Sequence, residues 1–256
     1  MKPIRLSLIP VPLQEEVSPG DDLGAKLGSA LRRQKIRLRS GDLLVVKHKV
    51  ISKAEGRVVR LDDVKPSSAA RRWAQTSGAD ARVIALAFAE ARRIVRKRIV
   101  QGRGVLITET HHGFVCANSG VDVSNVDGGA HAVLLPQDPD LSARRLRARI
   151  QRDFGLRIAV VISDSFGRPW REGLTDVAIG VAGMEPLIDY RGKRDPHGYT
   201  LHATAEAVAD ELACAAGLVC GKLNRTPFCI VRGFRYPLGK RTARDLIRAK
   251  DADLFR

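Results

Sequence analysis

The sequence predicts an α+β protein. Apolar runs of strand length stand at residues 43–46, 158–162 and 177–181. Segments 142–154 and 204–219 repeat apolar residues at helical spacing. Strands and helices do not alternate regularly, as a βαβ-built parallel sheet would require. At 256 residues the chain can bury one large core or two small ones, and 44% hydrophobic with 28% charged residues is ordinary for a soluble domain.

Residues 5–11 alternate apolar with polar side chains and read as a first strand. Pro19-Gly20-Asp21-Asp22 opens a helix, with one Asp as cap and the other in the first turn. Gly41-Asp42 turns into the apolar run 43–46, which leads to Lys47-His48-Lys49. A long helix is expected over about 80–98. Strands at 104–108 and 114–117 flank His111-His112-Gly113, which is read as a turn because adjacent side chains point apart. Residues 118–129 are polar and Gly-rich, hence loop. A helix over 142–154 takes Ser142 as its N-cap. The run 158–162 is a buried strand expected to stop at Ser163-Asp164-Ser165, and 177–181 is its counterpart. Residues 189–199 form a polar loop long enough to suspect function. A helix over about 204–219 ends at Gly221, 227–231 is a strand, and 242–252 a final helix. Repeats and low-complexity tracts are absent from the sequence, so one unit, with two interleaved subdomains as an option, spans 1–256.

No apolar run approaches the roughly 20 residues of a membrane helix, and the N-terminus lacks a secretory pattern. A cytoplasmic, non-membrane protein is expected. Cys116, Cys214, Cys220 and Cys229 lack metal-type pairing and read as free thiols. The formal charge of +16 is the outlier, with basic clusters at 92–98 and 144–152. Nucleic-acid binding, a field that gathers small polyanions, and a solvated arginine-rich surface each account for it. Both clusters are read as helical, which puts their charge on exposed faces. No zinc-finger, RNP or KH signature accompanies them, and aromatic residues are only 5%, which argues against nucleic acid.

The candidate chemistry begins at Val161-Ile-Ser-Asp-Ser-Phe-Gly-Arg-Pro-Trp-Arg. Asp164, two hydroxyls and the guanidinium forks of Arg168 and Arg171 suit a divalent cation and phosphates. The arginines either bind phosphate or anchor the loop. Asn118-Ser-Gly-Val-Asp-Val-Ser-Asn-Val adds Asp122 and Asn125 on a separate loop, and two carboxylates are the minimum for clamping one or two Mg²⁺ or Mn²⁺ ions. Lys53 either reaches phosphates or is solvated. The sequence has no Walker GxxxxGK[ST] and no GxGxxG, so a P-loop or Rossmann site is unsupported. Asp210-Glu211 either face the site or cap a salt bridge.

Seven segments, in order and spanning nearly the whole chain, resemble the coenzyme F420-0:L-glutamate ligase family. They are Ile51-Ser-Lys-Ala-Glu-Gly-Arg, the Asn118 and Ser163 segments, Asp176-Val-Ala-Ile-Gly-Val-Ala-Gly, Asp189-Tyr-Arg-Gly, Ala209-Asp-Glu-Leu-Ala and Pro227-Phe-Cys-Ile-Val-Arg-Gly. The resemblance implies a specialised fold of mixed sheets with flanking helices, forming an intertwined homodimer. It implies a ligase that uses GTP to phosphorylate the lactyl-phosphate carboxylate of the coenzyme F420 precursor. L-glutamate then displaces phosphate, and further γ-linked glutamates can follow. Two divalent ions, Mg²⁺ or Mn²⁺, are implied, with K⁺ as an additional candidate.

By position, Asp122 and Asp164 match catalytic metal ligands, with Ser165 where the family often has Thr. Asn125 and Lys53 match nucleotide contacts. Pro12, Leu13, Gln14, Gly221 and Lys222 resemble other parts of the GTP site. Lys222 stands where some members carry an acidic or amide metal ligand, and an ammonium cannot coordinate a cation. Lys47-His48-Lys49 differs from the small hydroxyl residues of some relatives, with His48 and Lys49 at nucleotide-contact positions. The resemblance is to the stand-alone ligase, without a nitroreductase-like C-terminal extension. A different phosphoryl-transfer or amide-forming enzyme would keep Asp122 and Asp164 and change the loop 189–199. A nucleic-acid-binding protein would instead show salt-sensitive binding and no metal-dependent GTP turnover.

Overall fold

The computed structural model describes residues 5–124 and 126–253, so Asn125 lies outside the described residues. Strand β1 (Ser7–Val11) leads to helix α1 (Leu23–Arg33), capped by Asp22, which accepts from the Ala25 N–H at 3.0 Å. Asp21 lies before the cap rather than in the first turn, where it accepts from the Ser18 N–H and pairs with Lys26. Then follow β2 (Leu43–Lys47), α2 (His48–Ala54) and β3 (Val58–Arg60). A helix the sequence pattern did not reveal, α3 (Ser68–Ser77), is capped by Ser67 and stopped by left-handed Gly78.

The long helix expected over 80–98 is two elements. Helix α4 (Ala81–Ala89) ends at Glu90, and the basic cluster belongs to strand β4 (Ala91–Val100). Two features decide it. The cluster interleaves arginines with β-branched Ile94, Val95, Ile99 and Val100. Gln101 and Gly102, with φ of 50° and 74°, then make a two-residue hairpin turn into β5 (Arg103–Thr110). Strand β6 (Val115–Ala117) completes this antiparallel sheet, after the turn at His111-His112-Gly113. His112 and His111 are tied to the Pro136 and Ala89 carbonyls. Residues 118–129 contain two 3-10 turns before β7 (His131–Val133), which pairs with β3.

Helix α5 (Pro139–Phe154) starts three residues earlier than expected, because Asp138 is the N-cap and Pro139 opens the first turn. Ser142 lies inside that turn and donates to the Glu55 carboxylate at 2.5 Å. Strand β8 (Ala159–Arg168) does not stop at Ser163. It runs on and returns as β9 (Arg171–Ala182) around Pro169-Trp170. After the short pair β10 (Ile188–Asp189) and β11 (Ala205–Glu206), helix α6 (Val208–Cys220) begins four residues later than expected and ends at Gly221. Asp210 there accepts from the Ala178 N–H of β9 at 2.8 Å, a structural role. Strand β12 (Phe228–Arg232) follows. The segment expected as a final helix holds only two 3-10 turns, Ala243–Leu246 and Lys250–Ala252.

The main sheet has the order β1-β12-β2-β8-β9, with β2 and β8 parallel and the other neighbours antiparallel. Period-2 alternation divides its side chains between two cores. Leu44, Val46, Val160, Ile162, Phe228 and Ile230 face α1 and α5. Leu43, Val45, Ala159, Val161, Cys229 and Val231 face α6. A sheet covered on both faces explains why these strands read as unbroken apolar runs. A third core under α3, α4 and β5 includes Ile84, Leu106, Val121 and Leu134. The arrangement is α+β, with several sheets and helices on both faces of the largest.

Candidate active site

The site forms where β2 runs out. Lys47, its last residue, pairs with Ser163 of β8, and the chain then bends into α2. Past this row the β8–β9 hairpin continues alone, with a register shift between Ile162 and Ser163. A bulge of this kind re-aims the side chains beyond it. The sheet therefore ends at Ser163 even though the strand does not, which leaves Asp164 and Ser165 beside the turn into α2.

At that turn three consecutive basic residues, two lysines around a histidine, fan out to carboxylates from three segments. Lys47 pairs with Asp176 of β9. His48 Nε2 lies 3.2 Å from Asp164 Oδ1, and Lys49 Nζ lies 2.7 Å from Asp122 Oδ2. Backbone bonds with Val133 hold Asp122 in place, and Ser124 donates to it from both N–H and hydroxyl. Burial pushes the Asp122 carboxyl up, but Lys49 and Ser124 outweigh it and hold the group below the usual carboxylate range. Burial also raises Asp164; the charge and hydrogen bond of His48 and the Ser165 N–H outweigh that and lower it. Asp122 and Asp164 feel each other's charge. Both are ionised at neutral pH.

Asp176 is the hub that sequence reasoning missed. It is 6% exposed, and its Oδ1 accepts the Ser165 hydroxyl at 2.5 Å. Lys222 donates to the same hydroxyl and lies 3.6 Å from Asp176 Oδ1. A signal for it existed: closing a hairpin at Pro169-Trp170 brings Asp176 opposite Ser165.

An open cleft of about 1220 Å³ adjoins this cluster. Leu13, Lys49, Lys53, Gly221 and Lys222, all expected at a nucleotide site, line it together with Lys47, Arg60 and Arg225. Backbone bonds from Leu13 to Arg225 and from Lys47 to Pro227 close one wall. Lys53 and Arg225 are both held by Glu16. Pro12 and Gln14 flank the cleft without lining it, their oxygens engaged by Gln34 and Arg33. His48 is buried against Asp164 and Ser52. Arg168 donates to the Glu172 carbonyl at 2.9 Å, which anchors the hairpin tip, and Arg171 is exposed beside it.

The donor chemistry fits a hard divalent cation: two ionised carboxylates with a hydroxyl nearby. Among the described residues no three His, Cys, Asp or Glu side chains converge as a metal-binding group. The cysteines are free, and burial, followed by the charge of Asp164, pushes the Cys116 thiol up to about 12. It is inert at neutral pH.

A lysine-lined cleft beside ionised carboxylates on an α+β scaffold suits polyanionic small molecules. A sequence profile described as F420-0:Gamma-glutamyl ligase matches residues 13–233. The chain is 44% identical over 256 residues to a coenzyme F420:L-glutamate ligase of Methanopyrus kandleri, covering 98% of each chain. It is 42% identical to the protein of that name from Methanothermobacter thermautotrophicus, over 98% of this chain and 99% of the relative. Over 220 residues it is 44% identical to the Methanocaldococcus jannaschii ligase, covering 86% of each. The chain belongs to the F420-0:Gamma-glutamyl ligase family.

Proposed function

We propose that the protein ligates L-glutamate to coenzyme F420-0 at the expense of GTP, through an acyl-phosphate. The observation that carries this is end-to-end similarity to coenzyme F420:L-glutamate ligases at 42–44% identity. The chemistry explains the cleft. A carboxylate is a poor electrophile, so the acceptor carboxylate attacks the γ-phosphorus of GTP and GDP leaves. The glutamate amine then attacks the acyl carbon, the new C–N bond forms, and inorganic phosphate departs as the amine loses its proton.

Each step brings anions together, and the chain's residues offset their repulsion. Lys49, Lys53 and Lys222 line the cleft as point charges for phosphate oxygens. Asp122 and Asp164, with Ser165, would hold Mg²⁺ or Mn²⁺. Such an ion supplies charge neutralisation and in-line alignment of the phosphoryl group. His48 keeps Asp164 ionised and oriented from behind. Addition of further γ-linked glutamates and a homodimeric assembly belong to the same reading. The exposed apolar residues Ile94, Ile99 and Val100 of β4 support a second copy as their cover.

The test is incubation with coenzyme F420-0, L-glutamate, GTP and Mn²⁺, followed by mass spectrometry. The expected product is heavier by one or more glutamyl units, with one GDP formed per unit. GDP formation without mass gain, or no turnover, would refute the proposal.

A further inference from the structure

We infer that each site holds a single divalent cation, and that Lys47 and Lys222, anchored on Asp176, supply the charge a second cation would bring. The inference rests on the ligase reading and concerns how its site is neutralised. Three carboxylates lie at this turn, and each already has a basic partner among Lys47, His48 and Lys49. Asp122 and Asp164 sense each other and keep part of their side-chain surface exposed beside a hydroxyl. Asp176 differs in burial, with 5% of its side chain exposed against 16% for Asp164 and 40% for Asp122.

Both oxygens of Asp176 are engaged. Lys47 takes Oδ2, while Oδ1 takes the Ser165 hydroxyl and lies 3.6 Å from Lys222. Space behind it is closed as well, since a Cβ built on Gly217 would stand 2.6 Å from Oδ2. A cation that used Asp176 would have to displace a largely buried ammonium and then sit beside it. The desolvation of the freed lysine and the like-charge contact both oppose that. Ser165 donates to Asp176 and accepts from Lys222, so one lone pair remains for a cation at Asp164.

The two ammonium groups meanwhile face the cleft, where both lysines are part of the lining. Fixed there by one carboxylate, they present donors to phosphate oxygens without needing a metal ion. Asp176 is thus a positioning residue: it holds Lys47, Lys222 and the Ser165 hydroxyl in one arrangement.

The test counts bound Mn²⁺ by equilibrium dialysis with a non-hydrolysable GTP analogue, with electron paramagnetic resonance for dipolar coupling between ions. One Mn²⁺ per bound nucleotide and an uncoupled spectrum are expected for the wild type. Lys222→Glu, at an exposed position, should raise the count to two and produce a coupled pair. Two Mn²⁺ in the wild type would overturn the inference while leaving the cation site at Asp122 and Asp164 intact. A count of one in Lys222→Glu would overturn the role given to Lys222. Nucleotide bound without Mn²⁺ would overturn the cation site and the inference with it, and no bound nucleotide would overturn the ligase reading.

Discussion

Replacing Gly217 by Ala sets two effects of opposite sign against each other. In an α-helix interior the change from Gly to Ala is worth about 1 kcal/mol of stabilisation. Here the new Cβ would lie 2.6 Å from Asp176 Oδ2 and 3.2 Å from its Cγ. A free carboxylate would swing away at little cost. This one is held by Lys47 and by the Ser165 hydroxyl, so either it or α6 must move. Overpacking of this kind costs about 1–3 kcal/mol. Subtracting the helix gain leaves a net loss of up to about 2 kcal/mol, with Tm lowered by up to about 8 °C for a chain of this size. Thermal unfolding by circular dichroism reads it. In an Asp176→Ala background the same substitution should become stabilising, which a double-mutant cycle isolates. A higher Tm for Gly217→Ala in the wild-type background would show that Asp176 is not pinned.

Asp42→Ala should cost about 3–5 kcal/mol in urea unfolding, because it strands Arg232, which makes two 2.8 Å bonds to that buried carboxylate. Asp138→Ala should cost about 1 kcal/mol by removing the α5 cap, seen as a lower urea midpoint; Asp138→Ser should recover most of it. Acid sensitivity follows from Asp122 and Asp164, whose folded carboxyls lie below their unfolded value. Their stabilisation is complete above about pH 4 and is lost as pH falls through the depressed folded values. Urea midpoints between pH 6 and 3 should therefore decline at the acid end, and Asp122→Asn should shallow that decline.

The strands of the main sheet were legible because burial on both faces leaves unbroken apolar runs such as 43–46 and 158–162. Arg92–Arg98 misled for a physical reason. An exposed edge strand has no buried face to impose alternation, and only the β-branched residues and the Gln101-Gly102 turn distinguish it from a solvated helix. Ser142 was read as the cap because Ser suits that position, whereas Pro139 at N1 marks Asp138 as the cap the fold uses. At the site, Asp122 and Asp164 stood out as carboxylates in polar, glycine-punctuated segments. Asp176, just before the apolar run 177–181, did not stand out, since its partners Lys47 and Lys222 come from distant segments that only the tertiary fold brings together.

If Asp122 and Asp164 make this cleft a ligase site, Asp164→Ala removes its activity. Wild type and variant would be compared for glutamyl addition to coenzyme F420-0 under saturating GTP and Mn²⁺, with circular dichroism confirming that both are folded. Loss of cation-derived charge stabilisation worth several kcal/mol predicts a rate lower by a factor of about 10³ or more. A folded Asp164→Ala variant that adds glutamate at the wild-type rate would show that Asp164 holds no catalytic cation.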